Sequence, residues 1–144
     1  MTSSVRSTFD QLVRVEILLW NCLDDELQRH TGLPLGRLKV LRVIASTQGC
    51  RVQDIASRLL ITVGAASKLV DRLEASGHCQ RHPNPDDRRS SLLTVTNMGQ
   101  ATLTRAETLL EPLLNQAFAA VHLPQLMDAL AQVEQVLTAE GEVA

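Results

Sequence analysis

Residues 61–99 read Ile61-TVGAASKLVDRLEASGHCQRHPNPDDRRSSLLTVTNM-Gly99, and their order decides the fold. Ala66, Leu69, Val70 and Leu73 fall at i, i+3, i+4 and i+7, the spacing of one buried helical face. Opposite them stand Gly64, Lys68 and Ala75, flanked by Ser67 and Asp71 on one side and Ala65 and Arg72 on the other. Thr62 is placed to cap the helix start, and Gly77 to end it in the left-handed conformation. Beyond Gly77, two short extended runs flank the loop Arg81-His82-Pro83-Asn84-Pro85-Asp86-Asp87-Arg88-Arg89. A helix face of small residues and cations can approach another surface closely. An arginine-tipped hairpin suits a narrow groove of negative potential. The pair reads as a clamp for nucleic acid.

Upstream, Thr8-Phe9-Asp10-Gln11 has the form of a capping box, and residues 1–7 read as loose. Phe9, Leu12, Val13, Leu19, Trp20, Leu23 and Leu27 keep a helical period towards His30, which Thr31-Gly32 ends. Pro34 opens a second helix to about Ser46, with Leu38, Leu41, Ile44 and Ala45 facing inward. Cys50-Arg51-Val52 reads as a short strand, Gln53 to Leu59 as a short helix, and Leu60-Ile61 as a turn. Downstream, Ser91 to Val95 is strand-like and Thr96 caps a helix running from Asn97 to about Phe118, which Pro112 should kink. Pro124 opens a last helix with Leu126, Met127, Leu130, Val133 and Leu137 on one face, and the C-terminal residues read as frayed. The order describes a mostly α fold. A winged helix-turn-helix lobe with a small β-hairpin wing spans residues 34–96. The helical segments 1–33 and 97–144 are more apolar than so small a lobe requires, and they read as a dimerisation layer.

Bulk composition narrows the partner. One Trp, two Phe and no Tyr leave too few rings for a base-stacking single-strand binder. Net charge is −2, but residues 51–89 carry +2, the first 50 residues +1 and residues 90–144 −5, so the mildly positive segment is the one that contains most of the clamp. No nucleophile elbow, phosphate loop or zinc-protease helix is present, so no enzyme is expected, and Asp24-Asp25-Glu26 reads as a solvated helix face. Cys22, Cys50 and Cys79 form no disulfide framework. His78-Cys79-x-x-His82 offers zinc-ligand chemistry, but strand alternation sends residues 78 and 79 to opposite faces and a fourth ligand is lacking. No metal or cofactor is expected. The N-terminus lacks a signal-peptide core and no apolar run approaches the ~18–20 residues of a membrane span, so a cytoplasmic protein without a membrane partner is expected.

Gly77 through Gly99 resembles the wing signature of the MarR family of transcriptional regulators. That signature is an Arg, then Asp-x-Arg, a short strand, and Thr-x-x-Gly opening a helix. Arg81, Asp87-Arg88-Arg89 and Thr96-x-x-Gly99 fill those places, and Val70-Asp71-Arg72-Leu73-Glu74 resembles the end of the family's recognition helix. The resemblance implies that Arg89 is the minor-groove arginine, with Arg81 and Asp87 organising the wing. It also implies a homodimer built from the first and last helices, and repression relieved by a small aromatic or anionic molecule. Two features depart from the family pattern. Leu60 stands where a Gly commonly closes the turn, and the peroxide sensors' cysteine position falls near Asp10, with Cys22 roughly three turns later.

The expected function is a homodimeric repressor of double-stranded DNA that binds an inverted repeat. Thr62, Val63, Gly64, Ala65, Ser67, Lys68, Arg72, Arg88 and Arg89 are its DNA-binding residues. Arg14, Trp20 and His30 on the first helix are candidate effector residues. The alternatives are redox control through a cysteine, or a winged-helix protein-interaction module that does not bind DNA.

Overall fold

Capping side chains and apolar residues at helical spacing set six helices and one hairpin along the chain. The computed structural model describes residues 4–143. The elements are α1 (Val5–Thr31), α2 (Leu35–Ser46), α3 (Val52–Leu59), α4 (Val63–Ala75), β1 (Cys79–His82), β2 (Leu92–Val95), α5 (Asn97–Ala117) and α6 (Leu123–Val143). This is the mostly helical, winged helix-turn-helix arrangement expected. The chain divides into two compact units, residues 1–110 and 111–144, with α5 running through Pro112 where one gives way to the other.

In the first unit α2 is the central helix, packed against α1, α3, α4 and β2. Leu38, Leu41 and Ile44 are buried as expected, joined by Leu35, Val40 and Val43. Ala45 is exposed, contrary to expectation, because helices on several sides bury a wide arc of α2 that stops short of it. Around α2 close Leu23 and Leu27 of α1, Ile55 and Ala56 of α3, and Ala66, Val70 and Leu73 of α4. Gly99, Leu103, Ala106 and Leu110 are the buried residues on α5. Each fully buried Leu or Val contributes roughly 1.5–3 kcal/mol relative to exposure.

Several boundaries differ from the sequence reading. Ser4, not Thr8, caps α1, its hydroxyl accepting the Ser7 N–H at 3.1 Å, so residues 5–7 are helical; residues 1–3 and 144 lie outside the described residues. Pro34 is the residue before α2, and the free Leu35 N–H donates instead to Asp24 Oδ1 at 2.8 Å. Part of the acidic cluster on α1 therefore has a structural task. Cys50-Arg51-Val52 forms no strand: Cys50 makes a lone bridge to Leu93, whose N–H donates to the Cys50 carbonyl at 2.8 Å. Val52 already begins α3, where the Asp54 carboxylate accepts the Arg51 N–H at 2.8 Å.

In the second unit α6 is exposed nearly throughout, Met127 by 66% and Leu137 by 64%. No helix among the described residues is long and apolar enough to cross a membrane.

Candidate nucleic-acid interface

The turn joining α3 to α4 is closed by Leu60, which adopts φ 56° and ψ 45°. It is the one non-glycine residue with positive φ among the described residues, and its side chain is 90% exposed. Thr62 then caps α4, its Oγ1 accepting the Ala65 N–H at 3.1 Å. Burial of Ala66, Val70 and Leu73 turns the other side of the helix outward. Thr62, Val63, Gly64, Ala65, Lys68 and Arg72 are exposed and Ser67 is half-buried. A Cβ built on Gly64 meets nothing within 4 Å, so nothing in the fold requires glycine there.

The wing is an antiparallel pair in which Cys79 faces Val95 and His82 faces Leu92. Arg81 fixes it to α4. The Arg81 backbone N–H donates to Glu74 Oε2 at 2.8 Å, and its guanidinium donates to Glu74 Oε1 at 3.2 Å and Asp71 Oδ1 at 2.6 Å. Burial opposes the charge, but the hydrogen bond and charge of Asp71, then those of Glu74, outweigh it and raise the Arg81 pKa. Arg81 is thus committed to two carboxylates and positions the hairpin.

The loop beyond it is held by its own side chains. Asn84 Oδ1 accepts the Asp86 N–H at 3.0 Å, and Asp87 Oδ1 accepts the Arg89 N–H at 2.9 Å. Asp87 therefore orders the backbone that carries Arg89 and does not bind its guanidinium. Arg88 and Arg89 are exposed, and among the described residues neither takes part in an ion pair. At the base of the wing, Thr96 Oγ1 donates to the Gly77 carbonyl at 2.6 Å and accepts the Gly99 N–H at 3.0 Å.

A cleft of about 260 Å³ opens between α4 and the wing, lined by Arg51, Val52, Gln53, Val63, Ser67, Arg81, Arg89, Ser90 and Ser91. It joins Ser67 to Arg89, both read from the sequence. It adds Arg51 and Gln53, which sequence reasoning missed because the packing of α3 brings them in, and Ser90 and Ser91, which follow Arg89 in the wing loop. Arg14, Trp20 and His30 are not brought together. Sixteen residues of one helix separate the first from the last, about 24 Å of rise. His30 Nε2 lies 3.1 Å from Glu26, and Trp20 edges a shallow depression with Glu16, Ile17 and Asn21.

The histidines and buried cysteine near the wing are engaged separately. His78 Nδ1 bonds Ser76 Oγ at 2.6 Å, His82 Nε2 bonds Thr94 Oγ1 at 2.7 Å, and the Cys79 thiol points to the Val70 carbonyl at 3.9 Å. No metal-holding cluster exists among the described residues. Burial, then the nearby Arg37, lowers the His78 pKa. Burial first, then Asp54 and Glu74 respectively, pushes the Cys50 and Cys79 thiols up to about 11, against the lowering effect of Arg58 and Arg81. Cys22 is exposed.

Residues 33–91 match the model of the MarR family. Over 84 residues the chain is 31% identical to the HTH-type transcriptional regulator BilQ of Clostridium symbiosum, a match covering 58% of each chain. The chain thus spans little more than half the length of that relative. Among solved structures, AbsC, a MarR family transcriptional regulator from Streptomyces coelicolor, superposes with a TM-score of 0.84 at 21% identity, over 96% of this chain and 97% of that one. Sco3205, a MarR family regulator from the same organism solved in complex with DNA, gives a TM-score of 0.83 at 26% identity, over 98% and 89% of the two chains.

Proposed function

The chain belongs to the MarR family of winged helix-turn-helix transcriptional regulators, and from that premise we propose that it represses transcription by binding double-stranded DNA sequence-specifically as a homodimer. Each subunit lays residues 62–72 in a major groove and its Arg88-Arg89 wing in the adjoining minor groove. The observation that carries this reading is the low, cationic face of α4 beside a wing that Arg81 ties to the same helix. Lys68 and Arg72 grip phosphate or guanine, and Val63 and Ala65 meet thymine methyls. The DNA complex of Sco3205 supports the choice of partner.

Exposed apolar residues along α1 and α6 support a second copy of the chain as the other partner. Two-fold symmetry then implies an inverted repeat with half-sites about one DNA turn apart. The proposed dimerisation region comprises residues 1–33 and 97–144. A small aromatic or anionic effector taken up near Trp20, at the shallow depression it edges, relieves repression by favouring a half-site spacing that the operator rejects; Arg14 and His30 lie too far along α1 to share that place.

Selecting preferred duplexes from a random pool tests the reading, with inverted repeats as the expected product. Arg89→Ala should then weaken operator binding and flatten its salt dependence, by about 0.9 in slope for each phosphate charge no longer neutralised. An unchanged affinity and slope would remove the wing from the interface. Binding without salt dependence or sequence preference would favour the protein-interaction alternative. For redox control, only Cys22 among the three cysteines is exposed, and mass spectrometry after mild oxidation would show its adduct or disulfide.

A further inference from the structure

A second basic cluster is lined by no residue of α4 or the wing. Lys39, Arg42 and Ser46 recur at i, i+3 and i+7 along α2, and with Arg58 and Leu59 of α3 they enclose a depression of about 170 Å³ over Val43. Among the described residues none of the three cations is in an ion pair. The nearest carboxylate in sequence, Asp54, sits one turn before Arg58 but accepts the Arg51 N–H at 2.8 Å and lies 3.9 Å from Arg51 Nε. The Ser46 hydroxyl donates to the Val43 carbonyl at 3.2 Å, which leaves the charges to define the site.

Cations near a helix C-terminus complement its dipole, and this accounts for Arg58 in the last turn of α3. It does not account for Lys39 and Arg42, since α2 has no basic residue in its last turn. Three cations lining one depression without a paired carboxylate offer converging donors to an anion. Guanidinium forks bind phosphate oxygens in pairs and an ammonium adds a point charge, so the chemistry matches a phosphate group.

We propose that Lys39, Arg42 and Arg58 form a phosphate site that grips the duplex on the flank of the groove occupied by α4. This rests on the DNA-binding function proposed above. Arg58 is four residues before the Thr62 cap, at most about 14 Å of chain, and successive phosphates of one strand advance only about 3.4 Å along the duplex axis. The strand bordering the α4 groove therefore passes within reach. A free phosphorylated small molecule presents the same chemistry, and the experiment separates the two sources.

Operator duplexes trimmed to the two half-sites, or extended by half a helical turn at each end, are titrated by fluorescence anisotropy over a range of salt. Wild type is compared with the Lys39→Gln, Arg42→Gln, Arg58→Gln triple variant, whose exposed substitutions spare the core. Inorganic phosphate is titrated in parallel by amide shifts of α2 and α3. On the extended duplex the variant should lose about 0.9 of salt slope per phosphate, about 2 for a dimer, while keeping its preference for operator over scrambled sequence. Equal slopes together with equal phosphate shifts overturn the site. Equal slopes with phosphate saturation in wild type alone overturn the duplex as source and assign a free phosphorylated ligand. A wild-type protein without operator preference overturns the regulator reading and the duplex source together, and the phosphate arm then decides whether the site exists.

Discussion

A Cβ on Gly99 would collide with the His78 carbonyl oxygen and lie 2.7 Å from Val95 Cγ1, because α5 starts directly against the base of the wing. Glycine in the Thr-x-x-Gly signature is therefore a packing requirement. Gly99→Ala should lower stability by about 1–3 kcal/mol, read as a lower denaturation midpoint. Leu60 predicts the opposite sign. It holds φ 56° with its side chain 90% exposed, so Leu60→Gly relieves backbone strain at no loss of burial and should raise stability by up to about 1 kcal/mol. A midpoint no higher than that of wild type would show that the freedom glycine adds to the unfolded chain offsets the strain relieved. The thiols give a pH prediction. Folded Cys50 and Cys79 titrate near 11 against an ordinary 9.0, so the unfolded chain loses those protons first. Stability should be fully present below pH 9 and fall between pH 9 and about 11, by up to ~1.4 kcal/mol per pH unit for each thiol. With no tyrosine to titrate in that range, the fall should flatten in a Cys50→Ala, Cys79→Ala variant.

Between elements, the decisive contact is Arg81 spanning Asp71 and Glu74, which makes α4 and the wing one piece. Arg81→Met keeps much of the stem and removes the pairing. Because the carboxylates are largely exposed, the expected loss of stability is at most about 1 kcal/mol. The larger effect should be local: amide exchange in β1 and β2 quickens while that of α4 does not, and operator affinity falls through a misplaced wing. Identical exchange in wild type and variant would show that the strand pairing alone positions the hairpin. How far such contacts are legible in sequence depends on how local they are. The α4 boundaries were readable because the Thr62 cap, the Gly77 stop and the apolar spacing over residues 66–73 agree. The start of α1 was not, since Ser4 and Thr8 both suit a cap and nothing local chooses between them. Cys50-Arg51-Val52 has strand-forming side chains but finds only one ladder partner, and the Asp54 cap pulls Val52 into α3. Ala45 follows the spacing of Leu38 and Leu41, yet burial on α2 is set by four neighbouring elements. In the same way Arg88 and Arg89 announce themselves at a loop tip, whereas Arg51, or the grouping of Lys39 with Arg58, exists only once α2, α3 and the wing are assembled.

Across the whole molecule, each compact unit leaves apolar helix uncovered. Phe9, Leu12, Val13, Ile17 and Leu18 of α1 are 41–63% exposed, and Met127, Leu130, Val133, Val136 and Leu137 of α6 are 46–66% exposed. Scattered exposed leucines need no explanation, but rows of them at helical spacing on two helices do. A second copy of the chain would remove both from water and would place two wings on one duplex. Sedimentation at micromolar concentration should therefore give twice the 15.8 kDa chain mass. Leu12→Asp with Leu18→Asp, and separately Val133→Glu with Leu137→Glu, place charges where the chain itself has no core, so each variant should fold. Both should sediment as single chains. Splitting the dimer makes the two half-sites bind independently, and the lower effective concentration should weaken operator binding by about 10²–10⁴-fold while a single half-site is bound as before. Variants that remain dimeric would move the interface off these helices, and monomeric variants with undiminished operator affinity would end the case for two-fold recognition.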